Sequence, residues 1–559
     1  MPSRQTVPVP LARGRRGAVV APHHLATAAG LEILAQGGHA VDAAIATNAV
    51  LGVVMPEGCG IGGDAFWLIW DSTARAQLAL NGSGRAPAGA DAPGLRRRGL
   101  AQLPLRGGLS ITVPGAVRSW GDAHARFGRL SRDRVLAPAI DLARAGFPAW
   151  DGFVDSVEVS TTWVQSDLGP AGTPWLSMYR PADRPWRAGE LVRLPALAST
   201  LERLARDGFD ALYEGQIADS LARTLAKAGS PITAADLASH QSTWTEPIST
   251  TYRGTTVTTH PPNSQGAVAL EILNIIETFE PPQAGDLEGG DGPDALWAHL
   301  GIEASKLAMA DRDANLTDPS FRDIPLAQLL DKSYARDLAG RIDPRRAAHP
   351  APAASPVGGG TIYLAVVDGE GNAVSLIESN YMGFGSGVLD PETGVHFHNR
   401  GSYFSLDAHH PNVLEPGKRP LHTLMPGMLF RPDDRGQLRP WVVAGSMGGD
   451  AQPQIHAQLV SGLVDGGLDV GTAVSAPRWF VEPETHFAPP IGVRVEPRFR
   501  PGVLEELEAL GHPLTRTDAF DSLLGHCHAI ELVEGGPAVE GGSLAAATDP
   551  RSAGLPAVR

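Results

Sequence analysis

The 559-residue sequence predicts an α/β fold. Beyond residue 361, strand candidates at 427–430, 441–444, 493–495 and 529–533 alternate with helix candidates at 452–464 and 503–510. Near the N-terminus, a glycine loop joins an apolar helical stretch to a compact apolar run. At residue 361 a Pro/Gly-rich lead-in changes abruptly to a hairpin.

The elements follow in order. Residues 25–54 are rich in Ala, Ile, Leu and Val, broken at Gly37-Gly38-His39, and predict two core helices joined by a glycine turn. The loop Gly58-Cys59-Gly60-Ile61-Gly62-Gly63-Asp64 leads into a buried strand at 65–70. Residues 131–345, with helical patterns at 195–207 and 267–277, read as a mainly helical scaffold. The composition of 346–360 is that of a mobile linker ending Gly358-Gly359-Gly360. Thr361 then opens a strand to Asp368, and a turn at 369–372 returns the chain through 373–379 as a hairpin.

Composition narrows the function. A formal net charge of −15 argues against nucleic acid held by the overall field and favours a small substrate. Two cysteines, Cys59 and Cys527, are too few for a disulfide framework or a four-thiolate zinc site. No apolar run reaches the roughly 18 residues a membrane span needs. The N-terminus carries basic residues but no apolar signal core, so the expectation is a cytoplasmic protein without membrane, nucleic-acid, metal or cofactor partners.

A hydroxyl attacks an amide only when a base takes its proton, and an N-terminal threonine carries such a base in its own α-amine. Cleavage between Gly360 and Thr361 would create that terminus: Gly360 permits a contorted peptide, and the strand fixes Thr361. Locally, the same residues also describe a plain loop entering a hairpin.

Motifs along the chain decide between these readings. Gly38-His39-Ala40-Val41-Asp42-Ala43-Ala44, the 58–64 loop, Val113-Pro114-Gly115, Pro261-Pro262-Asn263-Ser264-Gln265-Gly266 and Glu303-Ala304-Ser305-Lys306-Leu307 stand before Thr361. Lys418-Arg419-Pro420-Leu421, Gly445-Ser446-Met447-Gly448-Gly449, Ala476-Pro477-Arg478 and Thr548-Asp549-Pro550-Arg551 stand after it. In that order they resemble the gamma-glutamyltransferase (gamma-glutamyltranspeptidase) family over nearly the whole chain. The resemblance implies an N-terminal-nucleophile hydrolase: a four-layer αββα sandwich made as a proenzyme and cut into a large subunit, 1–360, and a small catalytic one, 361–559, that stay together. It implies Thr361 as the acylated nucleophile, Ser379 as its supporting hydroxyl and Gly448 and Gly449 as the oxyanion donors. The substrate would be a small amide, with water or an amine as acceptor.

The acyl-reading positions depart from the family. Ser83 stands at the arginine that holds the γ-glutamyl carboxylate, with Arg85 two residues on. Tyr403 replaces the aspartate that pairs with the α-amino group, Tyr381 a nearby asparagine, and His422 and Thr423 the paired serines. Loss of the carboxylate removes an ammonium's charge partner. An acid-bearing acyl group without an ammonium, such as glutaryl or oxamate, is then an alternative to γ-glutamyl, with Arg85 or Arg400 as its cation. A short connection from Tyr403 to Lys418 predicts an open cleft.

Three rivals remain. Gly58, Gly60 and Gly63 fit a dinucleotide fingerprint, but in a helix-loop-strand context instead of strand-loop-helix. His396/His398 and His526/His528 are each spaced to share a strand face, without a third ligand at metal spacing. A non-catalytic homologue would keep the fold without needing Thr361, Ser379 and the glycine pair.

Overall fold

The computed structural model describes residues 11–282, 292–348, 359–482, 492–537, 539 and 541–559. The linker expectation over 346–360 falls mostly outside them, as does Arg4 of the basic N-terminal stretch, whose Arg13, Arg15 and Arg16 are described.

Two seven-stranded antiparallel sheets stack face to face. The first runs in the order Ala557–Val558, Gly17–Val20, Gly359–Asp368, Ala373–Met382, Asp64–Asp71, Ala76–Gly82, Thr243–Thr245. The second runs Ala12–Gly14, Ser543–Ala547, Cys527–Val533, Leu438–Ser446, Gly427–Pro432, Thr255–Thr259, Ile248–Tyr252. Side chains alternate along each strand, and that alternation builds the layers. Tyr363, Ala365 and Val367 point between the sheets to meet Met428, Val443 and Ile530. Ile362, Leu364 and Val366 point outward, against the helices of the first face. Val442, Ala444 and Ala529 of the second sheet pack on the opposite helices, including Gly266–Ile276 and Gln452–Val464. The result is the αββα sandwich.

Helix Ala40–Val54 is buried along its whole length, so its apolar residues surround it instead of forming one stripe. Its polar residues are tied down. Asp42 completes a capping box with His39, and Asn48 accepts from Trp120 Nε1 at 2.9 Å.

The expected elements at 195–207, 452–464 and 493–495 form with the bounds read from the sequence. The 131–345 stretch is less uniformly helical than expected, because Thr243–Thr245, Ile248–Tyr252 and Thr255–Thr259 supply strands to both sheets. Their threonines read as polar but are β-branched and suit strands, two of them at sheet edges and Thr255–Thr259 paired on both sides. No described helix is long and apolar enough to cross a membrane.

Candidate active site

Thr361 and Ser379 face each other across the central hairpin, and the register shifts at one point, so that Gly360 pairs with Tyr381. The skipped residue, Asn380, turns its backbone N–H to Gly58 O at 3.1 Å, seating the glycine loop beneath the hairpin. Gly360 cannot be replaced without a clash: an added Cβ would lie 2.6 Å from Glu57 O and 2.9 Å from Gly383 N.

The shift concentrates hydrogen bonds on Ser379. Its Oγ donates to Gly360 O at 2.8 Å, accepts from Tyr381 N at 2.7 Å and lies 2.8 Å from Thr361 Oγ1. A hydroxyl donates once and accepts twice. With its proton on Gly360 O, Ser379 must accept from Thr361, so the threonine proton already points to a relay that ends on the carbonyl it would attack. Both side chains are buried.

Strand Leu438–Ser446 delivers the glycine pair, with Gly448 at φ 147° and Gly449 at φ 56°, conformations that favour glycine. The pair opens a short helical turn, whose first N–H groups lack intrahelical acceptors and suit an oxyanion. The turn is clamped from behind. Gln265 Nε2 donates to Gly449 O at 2.9 Å and to Thr423 O at 2.8 Å, while Asp450 accepts from Tyr403 Oη at 2.6 Å and pairs with Arg312.

Thr361, Gly360, Tyr381, Gly448, Gly449 and Asp450 share the wall of a cleft of about 560 Å³. The other sequence candidates do not line it. Arg85 is held by Asp318 at 3.3 Å and by Gly417 O at 3.0 Å. His422 rests on Asp64 at 3.2 Å, its pKa lowered to about 3 by burial. Thr423 and Tyr403 lie behind the Gly448–Gly449 turn. Arg400 is 1% exposed, lies 4.0 Å from the Tyr381 ring centre and donates to Thr423 Oγ1 at 3.1 Å, while its Nε and Nη1 lack partners. Burial lowers its pKa.

Sequence reasoning missed Gln265, Arg312 and Asp450 as the turn's support, although Asp450 adjoins the glycine motif. It also missed two cleft residues, Arg106 and Glu57, the latter with its carboxyl pushed up to about 8 by burial. Neither stands in a pattern that marks it.

The rival sites dissolve into packing. An added Cβ at Gly62 would strike His396 O at 2.0 Å, so the glycine loop fits protein backbone. His396 bonds Asn380, His398 bonds Thr112 O, and His526 bonds Ser522 Oγ at 2.9 Å. Among the described residues, metal-ligand proximity occurs at His299, Glu303 and His512. There the histidines bond each other at 2.7 Å and Lys306 occupies Glu303 at 2.6 Å.

The family model described as gamma-glutamyltranspeptidase matches residues 26–558. The chain is 40% identical over 543 residues to the "Glutathione hydrolase-like YwrD proenzyme" of Bacillus subtilis (strain 168), covering 97% of this chain and 98% of the relative. It is 37% identical to the "Oxamate amidohydrolase proenzyme" of Klebsiella pneumoniae, with 97% and 98% covered. A crystal structure of cephalosporin acylase from Bacillus halodurans superposes with a TM-score of 0.87 at 36% identity, covering 100% of this chain and 99% of that one.

Proposed function

We propose, from the premise that this chain belongs to the gamma-glutamyltranspeptidase family, that Thr361 first cuts its own chain and then hydrolyses or transfers acid-bearing amides. The enzyme is an N-terminal-nucleophile amidohydrolase of that family; the residue roles and the acyl group are the proposal.

Self-cleavage begins as Thr361 Oγ attacks the Gly360 carbonyl carbon. The threonine proton passes to Ser379 Oγ while the Ser379 proton moves to Gly360 O. Collapse restores the carbonyl, breaks the C–N bond and returns the proton through Ser379 to the leaving nitrogen. An ester on Thr361 and a free α-amine result, and water hydrolyses the ester. In later cycles the α-amine takes the hydroxyl proton, Gly448 and Gly449 N–H stabilise the tetrahedral oxyanion, and water or an amine resolves the acyl-enzyme.

The single observation that carries this reading is the bond set of Ser379, which joins the nucleophile and the scissile carbonyl at the hairpin's one register shift. The cut would not separate the pieces. Segment 1–360 provides strands Gly17–Val20 and Asp64–Asp71 to one sheet and Thr255–Thr259 to the other, and each pairs with strands of 361–559.

For the acyl group, the carboxylate missing at Tyr403 has a counterpart in Asp450, which lines the cleft. Asp450 is already bound by Arg312 and the Tyr403 hydroxyl. That leaves little for a substrate ammonium and supports a glutaryl- or oxamate-like acid over a free α-amino acid head. Denaturing gels and mass spectrometry test the first half: two fragments meeting at Thr361 are expected, and a full-length wild-type band that persists sinks it. Amine release from γ-glutamyl, glutaryl and oxamate amides tests the second, which fails if the γ-glutamyl amide is turned over best.

A further inference from the structure

The cleft contains a cation without an ion pair among the described residues: Asp167 acts on Arg106 through space but forms no salt bridge with it. Arg106 donates from Nη1 to Gly383 O at 2.8 Å and to Gly385 O, and its guanidinium carbon lies 3.8 Å over the Trp163 ring. These contacts fix the plane of the group and use one nitrogen. Its Nε and Nη2 have no hydrogen bond to a described residue and are not enclosed, and Arg106 lines the cleft.

The other arginines nearby are engaged or shut away. Arg551 also borders the cleft but pairs with Glu496 at 2.7 Å and Asp549 at 3.0 Å. Arg400 lies under Tyr381 and does not reach the cleft wall, and Arg85 belongs to Asp318. Glu57 shares the wall with Arg106, yet a pKa pushed up to about 8 keeps its carboxyl largely neutral at pH 7. It does not cancel the guanidinium.

Position completes the case. Gly383, whose carbonyl holds Arg106, packs against Gly360, the residue joined to the nucleophile. Bond lengths along that path put the guanidinium within roughly 11 Å of the Gly360 backbone. A glutaryl chain spans about 5 Å from its reacting carbonyl to its far carboxylate, and a charged hydrogen bond adds about 3 Å.

We infer that Arg106 is the receptor for the free carboxylate of the acyl group, a cation supplied from a different segment than the one in which Ser83 stands at the family's arginine. The inference rests on the reading of this cleft as the acyl site. An aromatic-stacked guanidinium with one open N–H edge recognises a planar carboxylate by two parallel bonds, which a lysine cannot reproduce.

The test is binding of glutarate, which carries no amide to cleave, to the purified protein by calorimetry, with butyramide as the neutral probe. Wild type should bind glutarate at least about 20-fold more tightly than butyramide; Arg106→Gln should lose about 20-fold in glutarate affinity and Arg106→Lys about 5-fold. If Arg106→Gln folds poorly, Arg106→Lys decides alone. Wild-type affinity in the lysine variant, or no preference for glutarate over butyramide in wild type, overturns the assignment. The gel assay at Thr361 separates the two ideas: Arg106-dependent glutarate binding in a protein that never splits leaves Arg106 a carboxylate receptor and removes the catalytic reading.

Discussion

The proposed reacting floor of the cleft and its proposed acyl-reading wall are built differently. The floor is a hairpin: Thr361 and Ser379 are strand neighbours, and their contact follows from pairing register. The wall collects Arg106, Tyr381 and Asp450 from separated segments, and its charges are set by which acids already hold which arginines. Chemistry encoded in local backbone geometry is robust. Specificity encoded in unpaired charge shifts when a single partner moves.

Thr361→Ala should break the floor outright: one 58.6 kDa band persists and amide turnover falls at least about 10⁴-fold, read by gel and amine release. A Thr361→Ala protein that still splits at residue 361 removes the floor's central claim. Ser379→Ala should slow self-cleavage and turnover by about 10²–10³-fold, with Ser379→Thr restoring most of the rate because it keeps the hydroxyl relay. Equal rates in the two variants contradict that role.

Behind the glycine turn, Gln265→Leu removes three bonds, those it donates to Gly449 O and Thr423 O and the one its Oε1 accepts from Arg312 Nη1 at 3.1 Å. The expected loss is about 10-fold in kcat with a smaller change in KM, since the turn would be displaced while the carboxylate receptor stays. A change confined to KM would place Gln265 with the wall.

A pH experiment tests how the floor is held. Glu378 accepts Gly60 N at 2.9 Å, and burial pushes its pKa from 4.5 to about 8. The folded state therefore retains a proton that the unfolded chain releases. This contribution is full below pH 4.5 and is lost as pH rises to 8. Glu378→Gln lacks the slope, so its stability relative to wild type should improve by up to roughly 1.4 kcal/mol per pH unit across that window. Urea melts at pH 5 and pH 8 measure it; a difference independent of pH refutes the neutral carboxyl.

The smallest effect is expected at Arg85. Its side chain is 33% exposed and its ion pair with Asp318 lies away from the cleft wall. Arg85→Gln should change KM by less than about 2-fold and cost below ~1 kcal/mol of stability. A large rise in KM for glutaryl amides would move the receptor from Arg106 to Arg85.

Much of the fold was legible in advance. Apolar periodicity gave the helices at 195–207 and 452–464 and the central hairpin, because burying one face of an element leaves a regular trace. The threonine-rich strands at 243–259 were missed, since β-branched threonines serve both at the sheet edges, in Thr243–Thr245 and Ile248–Tyr252, and inside the sheet, in Thr255–Thr259, without an apolar trace. At the site, Thr361, Ser379, Gly448 and Gly449 were visible through their motifs, and the structure brings all four together.

The substrate candidates fared differently. Arg85, His422 and Thr423 stand near family positions in sequence, but Asp318, Asp64 and Gln265 engage them away from the cleft. Arg106 carries no motif. By itself, the sequence determined the family and its sandwich and marked the proposed cut site and nucleophile, because motifs spread along the chain carry that resemblance, whereas a glycine before a threonine alone also fits a plain loop entering a hairpin. Only the tertiary structure decided which arginine lining the cleft is left without an ion pair, because that depends on every charge folded against it.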